Sequence, residues 1–291
     1  AKTPFSLDHT LSCGQTFTWE KHGEWWVGVP NQTAFKIRQK NRTLEFKSNS
    51  AASDFLWRYF RLDDDLLKVY SKITKDEYVR EAVEQFRGLR LIRQEPWECL
   101  ISYICAQNKN IPAIKQMIFN ICRRFGNPIR FEGEEIYKYP KPNVLAKSSL
   151  NELRLCKLGY RADNVLKTAK LIHNGNFDLK ALKTMSYEKA KEELLTLPGV
   201  GPKVADCILL FSLDKLEAFP IDVWMKRIIL QYYSEHFEPE FVTKMKTKKS
   251  LSPQEYQTIY AFGRKYFGRY LGYAQEYLYH FKRCQANSER A

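Results

Sequence analysis

The segment Thr196-Leu-Pro-Gly-Val-Gly-Pro-Lys-Val-Ala-Asp206 places a tight turn between two helices. Helical spacing precedes it and resumes at Lys203, whereas the Pro-Gly-Val-Gly core interrupts the helical pattern. Gly199 and Gly201 permit positive φ and a close approach of another backbone. Such a turn points free backbone amides outward, together with those at the start of the next helix, and this arrangement suits a phosphate group.

The pattern resembles a helix–hairpin–helix, a motif that grips the DNA backbone without reading its sequence, and we expect it to span about residues 188–213. The alternative is an ordinary corner between two helices, in which the glycines serve packing only. The Pro-Gly-x-Gly detail and the basic composition of the chain favour the DNA-binding interpretation.

Lys203 and Asp222 are the candidate catalytic pair. Lys203 opens the second hairpin helix, where the helix dipole and partial burial are expected to disfavour protonation of its amine. A neutral lysine amine is a nucleophile. Asp222 stands at the apparent start of another helix, and its carboxylate would stabilise positive charge on a sugar if that helix folds back over Lys203. Taken singly, Lys203 is more often a phosphate contact and Asp222 a helix N-cap, but the pair within this hairpin favours catalysis.

The composition indicates a folded, basic protein. The chain has 291 residues, of which 44% are hydrophobic, and this argues against wholesale disorder. The excess of 47 Lys and Arg over 33 Asp and Glu gives a net charge of +14, which favours a polyanionic partner, although charge alone also fits other basic proteins. Seven cysteines without a Cys-x-x-Cys pair indicate free thiols rather than disulfides or a thiolate zinc site.

Periodicity predicts an α+β fold, with an antiparallel sheet domain followed by a larger helical domain. Apolar and polar residues alternate in four predicted strands, over residues 15–19, 25–29, 34–39 and 43–47. From about residue 53 the period is helical. Residues 126–149 are expected to form a loop and residues 244–249 a solvated connection. We place the sheet domain with its flanking helices at residues 1–86 and the helical domain at residues 87–291.

Further motifs resemble those of the 8-oxoguanine DNA glycosylase family of the helix–hairpin–helix superfamily, in the same order and over nearly the whole chain. They are SCGQTFTW (12–19), YFRLDDDL (59–66), GLRLIRQEPWECLISYICAQNKN (88–110), LGYRADNV (158–165), LPGVGPKVADC (197–207), AFPIDVW (218–224) and LGYAQEYLY (271–279). The resemblance implies a twisted antiparallel sheet packed on a helical body. It also implies excision of an oxidised guanine, followed by strand cleavage through an imine intermediate.

The resemblance implies roles for the reacting residues and for those that read the base. Lys203 matches the nucleophile that attacks the anomeric carbon of the sugar, and Asp222 matches the carboxylate that supports this step. The backbone carbonyl of Gly14 matches the group that accepts a hydrogen bond from N7–H of the damaged base. Undamaged guanine has only a lone pair at N7 and would face that carbonyl repulsively. Gln275 matches the amide that reads the pairing edge of the base.

The resemblance also implies a pocket for a flipped base. Tyr279 and Cys207 match the two faces between which the base is held, and Phe211 matches another wall residue. Without the resemblance, other interpretations would rank first: Phe211 and Cys207 as core, Tyr279 as a buried aromatic, Gln275 as a surface amide and Gly14 as a turn residue.

A third group of residues matches contacts with the distorted DNA. Asn108 matches the residue that fills the gap left by the extruded nucleotide, and Tyr160 and Arg161 match a wedge and a contact to the orphaned partner base. Gly199 and Gly201 would approach the DNA backbone.

Three positions depart from better-known members of the family. Ala113 stands where eukaryotic members carry an Arg that helps Arg161 recognise cytosine, so we expect relaxed opposite-base specificity. Trp224 replaces a His that touches phosphate, and Tyr279 replaces a Phe, which adds a hydroxyl.

Two alternative functions stay open. One is a related glycosylase for another damaged base; many such enzymes hold a four-cysteine iron–sulfur cluster, but only Cys284 lies near the end of this sequence. Alkylation-repair relatives generally lack the hairpin lysine. The other alternative is a non-catalytic helix–hairpin–helix module that binds DNA without imine chemistry.

The expected partner is double-stranded DNA that contains 8-oxoguanine, bound by a monomer without a metal or an organic cofactor. No run of about 18 apolar residues occurs, so we expect no membrane contact. The opening sequence AKTPFSLDHT lacks a signal-peptide pattern, and we expect an intracellular protein located with the DNA.

Overall fold

A four-stranded antiparallel meander forms the N-terminal sheet in the computed structural model, which describes residues 3–288. Each strand pairs with the next in sequence, in the order β1-β2-β3-β4. The strands are β1 (Trp19–His22), β2 (Trp25–Gly28), β3 (Phe35–Lys40) and β4 (Thr43–Ser48). A separate two-stranded hairpin contains β5 (Pro128–Phe131) and β6 (Glu134–Tyr137).

Most of the remaining chain is helical, which confirms the predicted α+β class. The α-helices are, in chain order, α1 (Leu7–Ser12), α2 (Ser53–Tyr59), α3 (Leu66–Ile73), α4 (Glu77–Gln85), α5 (Pro96–Cys105), α6 (Ile111–Phe125), α7 (Pro142–Ala146), α8 (Leu150–Leu155), α9 (Arg161–His173), α10 (Tyr187–Leu195), α11 (Pro202–Ser212), α12 (Val223–Tyr232), α13 (Pro239–Thr247), α14 (Pro253–Phe267) and α15 (Leu271–Ser288). Among the described residues, no helix is long and apolar enough to cross a bilayer.

The strand predicted over residues 15–19 is wrong, because β1 begins only at Trp19 and α1 precedes it. The side chain of Gln15 is buried and donates to the carbonyls of Thr10 at 2.9 Å and Arg90 at 2.8 Å. It also accepts from the amide of Ile92 at 2.9 Å. These bonds hold the chain around Gln15 in an irregular turn between α1 and β1. Its backbone therefore does not pair with the sheet.

Two connecting segments contain more structure than the sequence predicted. Residues 126–149 were expected to form a loop, but they hold β5, β6 and α7. The hairpin turns at Glu132 and Gly133, which have φ of 52° and 85°. The Lys-rich segment was expected to be a connection, but its first half is the last turn of α13, where Met245 is fully buried. Lysines at a helix C-terminus are favourable because they interact with its dipole.

Two apolar cores lie beneath these elements. The first packs the sheet against α1 and α2 through residues such as Trp19, Phe35 and Phe60. The second fills the helical part, and it also takes in α3 and α4 through residues such as Val69 and Val83. The second core thus contains helices from both sides of residue 86, and the domain boundary predicted there stays a prediction. Within the larger core, α11 packs against α5 and α10, and α15 packs against α4, α12 and α14.

Candidate active site

The turn between α10 and α11 forms the predicted hairpin. Gly199 has φ of +79°, and a Cβ there would lie 2.8 Å from the side-chain nitrogen of Asn164. The Gly199 carbonyl accepts from Nε2 of Gln107 at 2.8 Å, which ties the turn to the end of α5. Gly201 is the exposed N-cap of α11 and provides no side-chain cap for its first amides. The hairpin therefore presents backbone amides at an exposed helix N-terminus.

One face of α11 carries three of the predicted site residues, because Lys203, Cys207 and Phe211 are spaced four residues apart. Nζ of Lys203 lies 5.0 Å from the centre of the Tyr103 ring. That ring in turn stacks on Phe211, with ring centres 5.7 Å apart and an interplanar angle of 11°. Cys207 and Phe211 are buried, and Lys203 is half-buried. Tyr103 therefore contacts both Lys203 and Phe211, which lie at the two ends of this face of α11.

The lowered pKa that the sequence suggested for Lys203 is wrong. Burial of the ammonium lowers the pKa of Lys203, but the sulfur of Cys207 and the carboxylate of Asp222 raise it, and the net direction is upward. Burial raises the pKa of the Cys207 thiol to about 12, and the neighbouring Lys203 ammonium acts in the opposite direction. Lys203 therefore carries a positive charge in this structure and has to lose a proton before it can act as a nucleophile.

Asp222 has the helix-cap role that the sequence offered as one alternative, whereas its catalytic role stays a prediction. It is the N-cap of α12, and its Oδ1 accepts from the amides of Trp224 and Met225, both at 2.9 Å. Both bonds use the same oxygen, which leaves Oδ2 able to face other groups. The carboxylate also interacts electrostatically with Lys203. The capping bonds therefore fix the orientation of a carboxylate whose charge acts on Lys203.

A face of α15 supplies Gln275 and Tyr279, again four residues apart. Gln275 is 4% exposed, so the surface-amide interpretation is wrong. Its Oε1 is buried and finds no hydrogen-bond partner among the described residues. Tyr279 is half-buried, and burial together with the nearby Asp222 raises the pKa of its hydroxyl to about 12. Tyr279 also interacts electrostatically with Lys203, so this face of α15 approaches that of α11.

Gly14 lies in the irregular turn before β1 with φ of +104°. A Cβ at this position would lie 2.5 Å from Nη1 of Arg283 and 2.8 Å from Cδ1 of Ile111, and the positive φ itself favours glycine. The next residue, Gln15, uses its own carbonyl to accept from Nε2 of Gln94 at 2.8 Å and from the Tyr103 hydroxyl at 3.1 Å. The turn is therefore held against both α5 and α15.

Sequence reasoning missed Tyr103, Arg283 and Glu276 as parts of this site. Glu276 is 2% exposed, and its Oε1 is buried without a hydrogen-bond partner among residues 3–288. Burial raises the pKa of Glu276 to about 7, and the neighbouring Cys13, Arg283 and Lys203 act in the opposite direction. A glutamate within the aromatic segment YAQEYLY was a signal for a special environment, because acidic side chains are rarely buried without a partner.

The predicted DNA contacts cluster at the ends of α5 and α9. Asn108 has φ of +53° and donates through Nδ2 to the hydroxyl of Tyr160 at 3.3 Å. Tyr160 is 60% exposed, as a wedge requires. Arg161 is only 3% exposed; it donates to the carbonyl of Gln107 through Nε at 3.0 Å and to that of Leu158 through Nη1 at 3.2 Å. Contact between Arg161 and a partner base would therefore require the exchange of some of these bonds.

The two other departures from the family pattern lie at helix N-termini. Ala113 is half-buried in the first turn of α6, and its amide donates to Oδ1 of Asn110 at 3.0 Å. Trp224 follows the Asp222 cap of α12, and the guanidinium of Arg227 lies 5.3 Å from its ring centre. Within the part of the chain that the structure describes, no group of three or more His, Cys, Asp or Glu side chains is placed to hold a metal ion.

The chain is similar to known DNA glycosylases over most of its length. A family model described as the N-terminal domain of 8-oxoguanine DNA glycosylase matches residues 1–100, and one described as the HhH-GPD superfamily of base excision DNA repair proteins matches residues 101–253. The N-glycosylase/DNA lyase OGG1 of Arabidopsis thaliana is 31% identical, over 95% of this chain and 77% of its own length. The N-glycosylase/DNA lyase of Saccharomyces cerevisiae is 29% identical, over 96% and 83%.

A solved structure is also similar over almost its whole length. The 8-oxoguanine glycosylase/lyase of Clostridium acetobutylicum, in complex with double-stranded DNA containing cytosine opposite 8-oxoguanine, superposes with a TM-score of 0.87 at 30% identity. The match covers 98% of this chain and 93% of that one.

Proposed function

The chain belongs to the 8-oxoguanine DNA glycosylase family of the helix–hairpin–helix superfamily, and we propose that it removes 8-oxoguanine from duplex DNA by flipping the base out and attacking its sugar with Lys203. It is a DNA N-glycosylase of the class that also has DNA-(apurinic or apyrimidinic site) lyase activity. We infer the substrate base, the nucleophile and the manner in which the base is recognised.

The observation that carries the proposal is an unsatisfied buried amide on the face of α15 that approaches Lys203. Leaving a buried polar atom without a hydrogen bond costs about 1–3 kcal/mol, so proteins rarely do so without a function. Oε1 of Gln275 is such an atom, and Tyr279, one turn along α15, interacts with Lys203. A flipped base would satisfy Gln275 through its pairing edge, with Tyr279 and Cys207 on its two faces and Phe211 at the wall.

The Gly14 carbonyl would give the pocket its choice of lesion. Oxidised guanine carries a proton on N7 and can donate to this carbonyl, whereas guanine presents a lone pair that repels it. The constrained turn around Gly14 favours this role, because a carbonyl discriminates only if its direction is fixed.

The chemistry begins with the transfer of a proton from Lys203 to water; its ammonium interacts with the carboxyl groups of Asp222 and Glu276. Its Nζ then forms a bond to C1′ of the sugar as the glycosidic bond breaks. The base leaves with the electron pair of that bond and takes up a proton, while Asp222 stabilises positive charge on the sugar. Opening of the sugar ring gives an imine, and loss of a C2′ proton expels the 3′ phosphate and cuts the strand.

The exposed turn of Gly199 and Gly201 would bind the DNA backbone. Tyr160 would insert into the duplex as a wedge, and Asn108 would fill the space left by the extruded nucleotide. Arg161 would contact the orphaned base. We infer relaxed specificity for that base, because Ala113 lacks hydrogen-bond donors beyond its own amide and Arg161 is already engaged with backbone carbonyls. A monomer that binds duplex DNA in the intracellular compartment remains our prediction.

The test compares excision from duplexes that carry 8-oxoguanine or guanine at the same position. Wild type should release 8-oxoguanine and cut the strand but leave guanine in place, whereas Lys203→Gln should do neither while still binding DNA. Lys189→Gln removes the same charge from an exposed position of the same hairpin and should retain activity. Unchanged strand cleavage by Lys203→Gln would contradict the proposed nucleophile. Failure of wild type to release 8-oxoguanine would contradict the proposed substrate.

A further inference from the structure

The guanidinium of Arg283 joins the Gly14 turn to the base-facing side of α15. Its Nη1 donates to the carbonyl of Cys13 at 2.5 Å, and its Nη2 donates to that of Ser12 at 2.7 Å. These carbonyls lie at the C-terminus of α1, which lacks intrahelical donors and attracts positive charge. The guanidinium carbon also lies 5.4 Å from the centre of the Tyr279 ring, one helical turn away on α15.

The Arg283 guanidinium lies against the chain at Gly14 and bonds to the residue before it. A Cβ at Gly14 would lie 2.5 Å from Nη1, so the guanidinium occupies the space beside the glycine. The chain is then held on both sides of Gly14, by Arg283 at Cys13 and by the buried amide bonds of Gln15. Glycine has wide conformational freedom. Removing one of the two anchors would therefore let the peptide that carries the Gly14 carbonyl turn.

We propose that Arg283 is a positioning residue for lesion recognition, which fixes the direction of the Gly14 carbonyl and the orientation of the Tyr279 ring. This inference rests on the proposed function. Two donors of the guanidinium are used by backbone carbonyls and a third contacts Nδ1 of His280 at 3.2 Å, so the side chain is committed to the protein rather than to a phosphate. Discrimination between 8-oxoguanine and guanine depends on Arg283, whereas the general affinity for DNA does not.

The experiment uses the full chain with Lys203→Gln, in which the chemistry is blocked, as the parent. Binding is measured by competition for three duplexes, which contain 8-oxoguanine, guanine or a tetrahydrofuran abasic site. Arg283→Met should weaken binding of the 8-oxoguanine duplex about tenfold, the effect of spoiling the geometry of one hydrogen bond. Its affinity for the guanine and abasic duplexes should stay close to that of the parent.

Lys282→Met is the matched control, because it removes a positive charge from the adjacent residue, whose Nζ lies 5.6 Å from the Tyr232 ring on α12. It should leave the preference for 8-oxoguanine unchanged. Arg283→Gln keeps one donor for a carbonyl and should lose less of the preference than Arg283→Met. If Arg283→Met does not fold, Arg283→Gln still tests the proposal.

Three results would overturn the inference. The first is an undiminished preference for 8-oxoguanine in the Arg283 variants. The second is an equal loss of affinity for all three duplexes, which would make Arg283 a source of charge or of stability only. The third is a parent without any preference for 8-oxoguanine over guanine, which would contradict the proposed function as well; the first two leave that function intact.

Discussion

Asp222 is placed by its capping bonds and acts, in our account, through the charge of its carboxylate. Asp222→Asn keeps an oxygen that can cap α12, so the fold and DNA binding should be retained. Loss of the negative charge should slow excision of 8-oxoguanine by roughly 10²-fold or more, as for other losses of electrostatic support. Single-turnover excision rates and duplex affinity measure the two effects separately. Unchanged excision would reduce Asp222 to a helix cap.

The buried carboxyl group of Glu276 gives the stability of the fold a particular dependence on pH. Its pKa is raised from 4.5 to about 7, so between these values the unfolded chain ionises while the folded protein keeps the proton. The folded state therefore loses stability as pH rises through this window, by up to about 3 kcal/mol at 1.36 kcal/mol per pKa unit. Glu276→Gln should remove this loss and gain stability relative to wild type between pH 5 and pH 8.

Urea unfolding at the two pH values measures the effect of Glu276→Gln. The control is Glu240→Gln, which removes an exposed carboxyl group on α13 and carries no burial cost. If the free energies of unfolding of wild type and Glu276→Gln change in parallel with pH, then Glu276 is ionised in the folded protein and our description of its environment fails.

Substitutions of Ala113 test what determines the preference for the base opposite 8-oxoguanine. One bidentate contact is worth about 1–3 kcal/mol of discrimination, or roughly 5- to 150-fold. We expect wild type to excise 8-oxoguanine opposite the four bases at similar rates, and Ala113→Arg to increase the preference for cytosine. Ala113→Lys adds the same charge without the planar fork and should raise the four rates together. A strong cytosine preference in wild type, in single-turnover assays, would show that Arg161 or another residue suffices.

At the level of elements, the two hairpin glycines should respond differently to the same substitution. Gly199→Ala puts a Cβ at φ of +79° and 2.8 Å from the Asn164 side chain, so it should destabilise the fold by about 1–2 kcal/mol. At Gly201 φ is −95°, and a Cβ would meet no atom within 4 Å. Gly201→Ala should keep wild-type stability but weaken binding to undamaged duplex, since the added methyl group faces the proposed phosphate. Wild-type affinity of Gly201→Ala would place the DNA elsewhere.

The elements that the sequence predicted well are those specified by local signals. The Pro-Gly-Val-Gly turn and the helical spacing after Lys203 identify the hairpin without knowledge of any distant residue. The first strand was wrong because Gln15 is fixed by Arg90, 75 residues away in the sequence. The raised pKa of Lys203 and the buried position of Arg161 likewise depend on Cys207, Asp222 and the Gln107 carbonyl, which only the folded chain brings to them.

Over the whole molecule, three distant segments build the proposed base pocket. The turn before β1 contributes Gly14, α11 contributes Lys203, and α15 contributes Gln275 and Tyr279. Tyr103 on α5 links them, since its ring contacts Lys203 and Phe211 and its hydroxyl bonds to Gln15. The N-terminal turn and the helical body therefore have to assemble before the site exists. The net charge of +14 supplies attraction to DNA that does not depend on this assembly.

The central claim is that Lys203 attacks the sugar, and locating the covalent bond tests it most directly. Wild type is incubated with a duplex containing 8-oxoguanine in the presence of borohydride, which reduces the imine to a stable link, and the crosslinked peptide is identified by mass spectrometry. We predict a crosslink in wild type that maps to Lys203 and is absent from Lys203→Gln. A crosslink at another amine, or base release without any crosslink, would contradict the account.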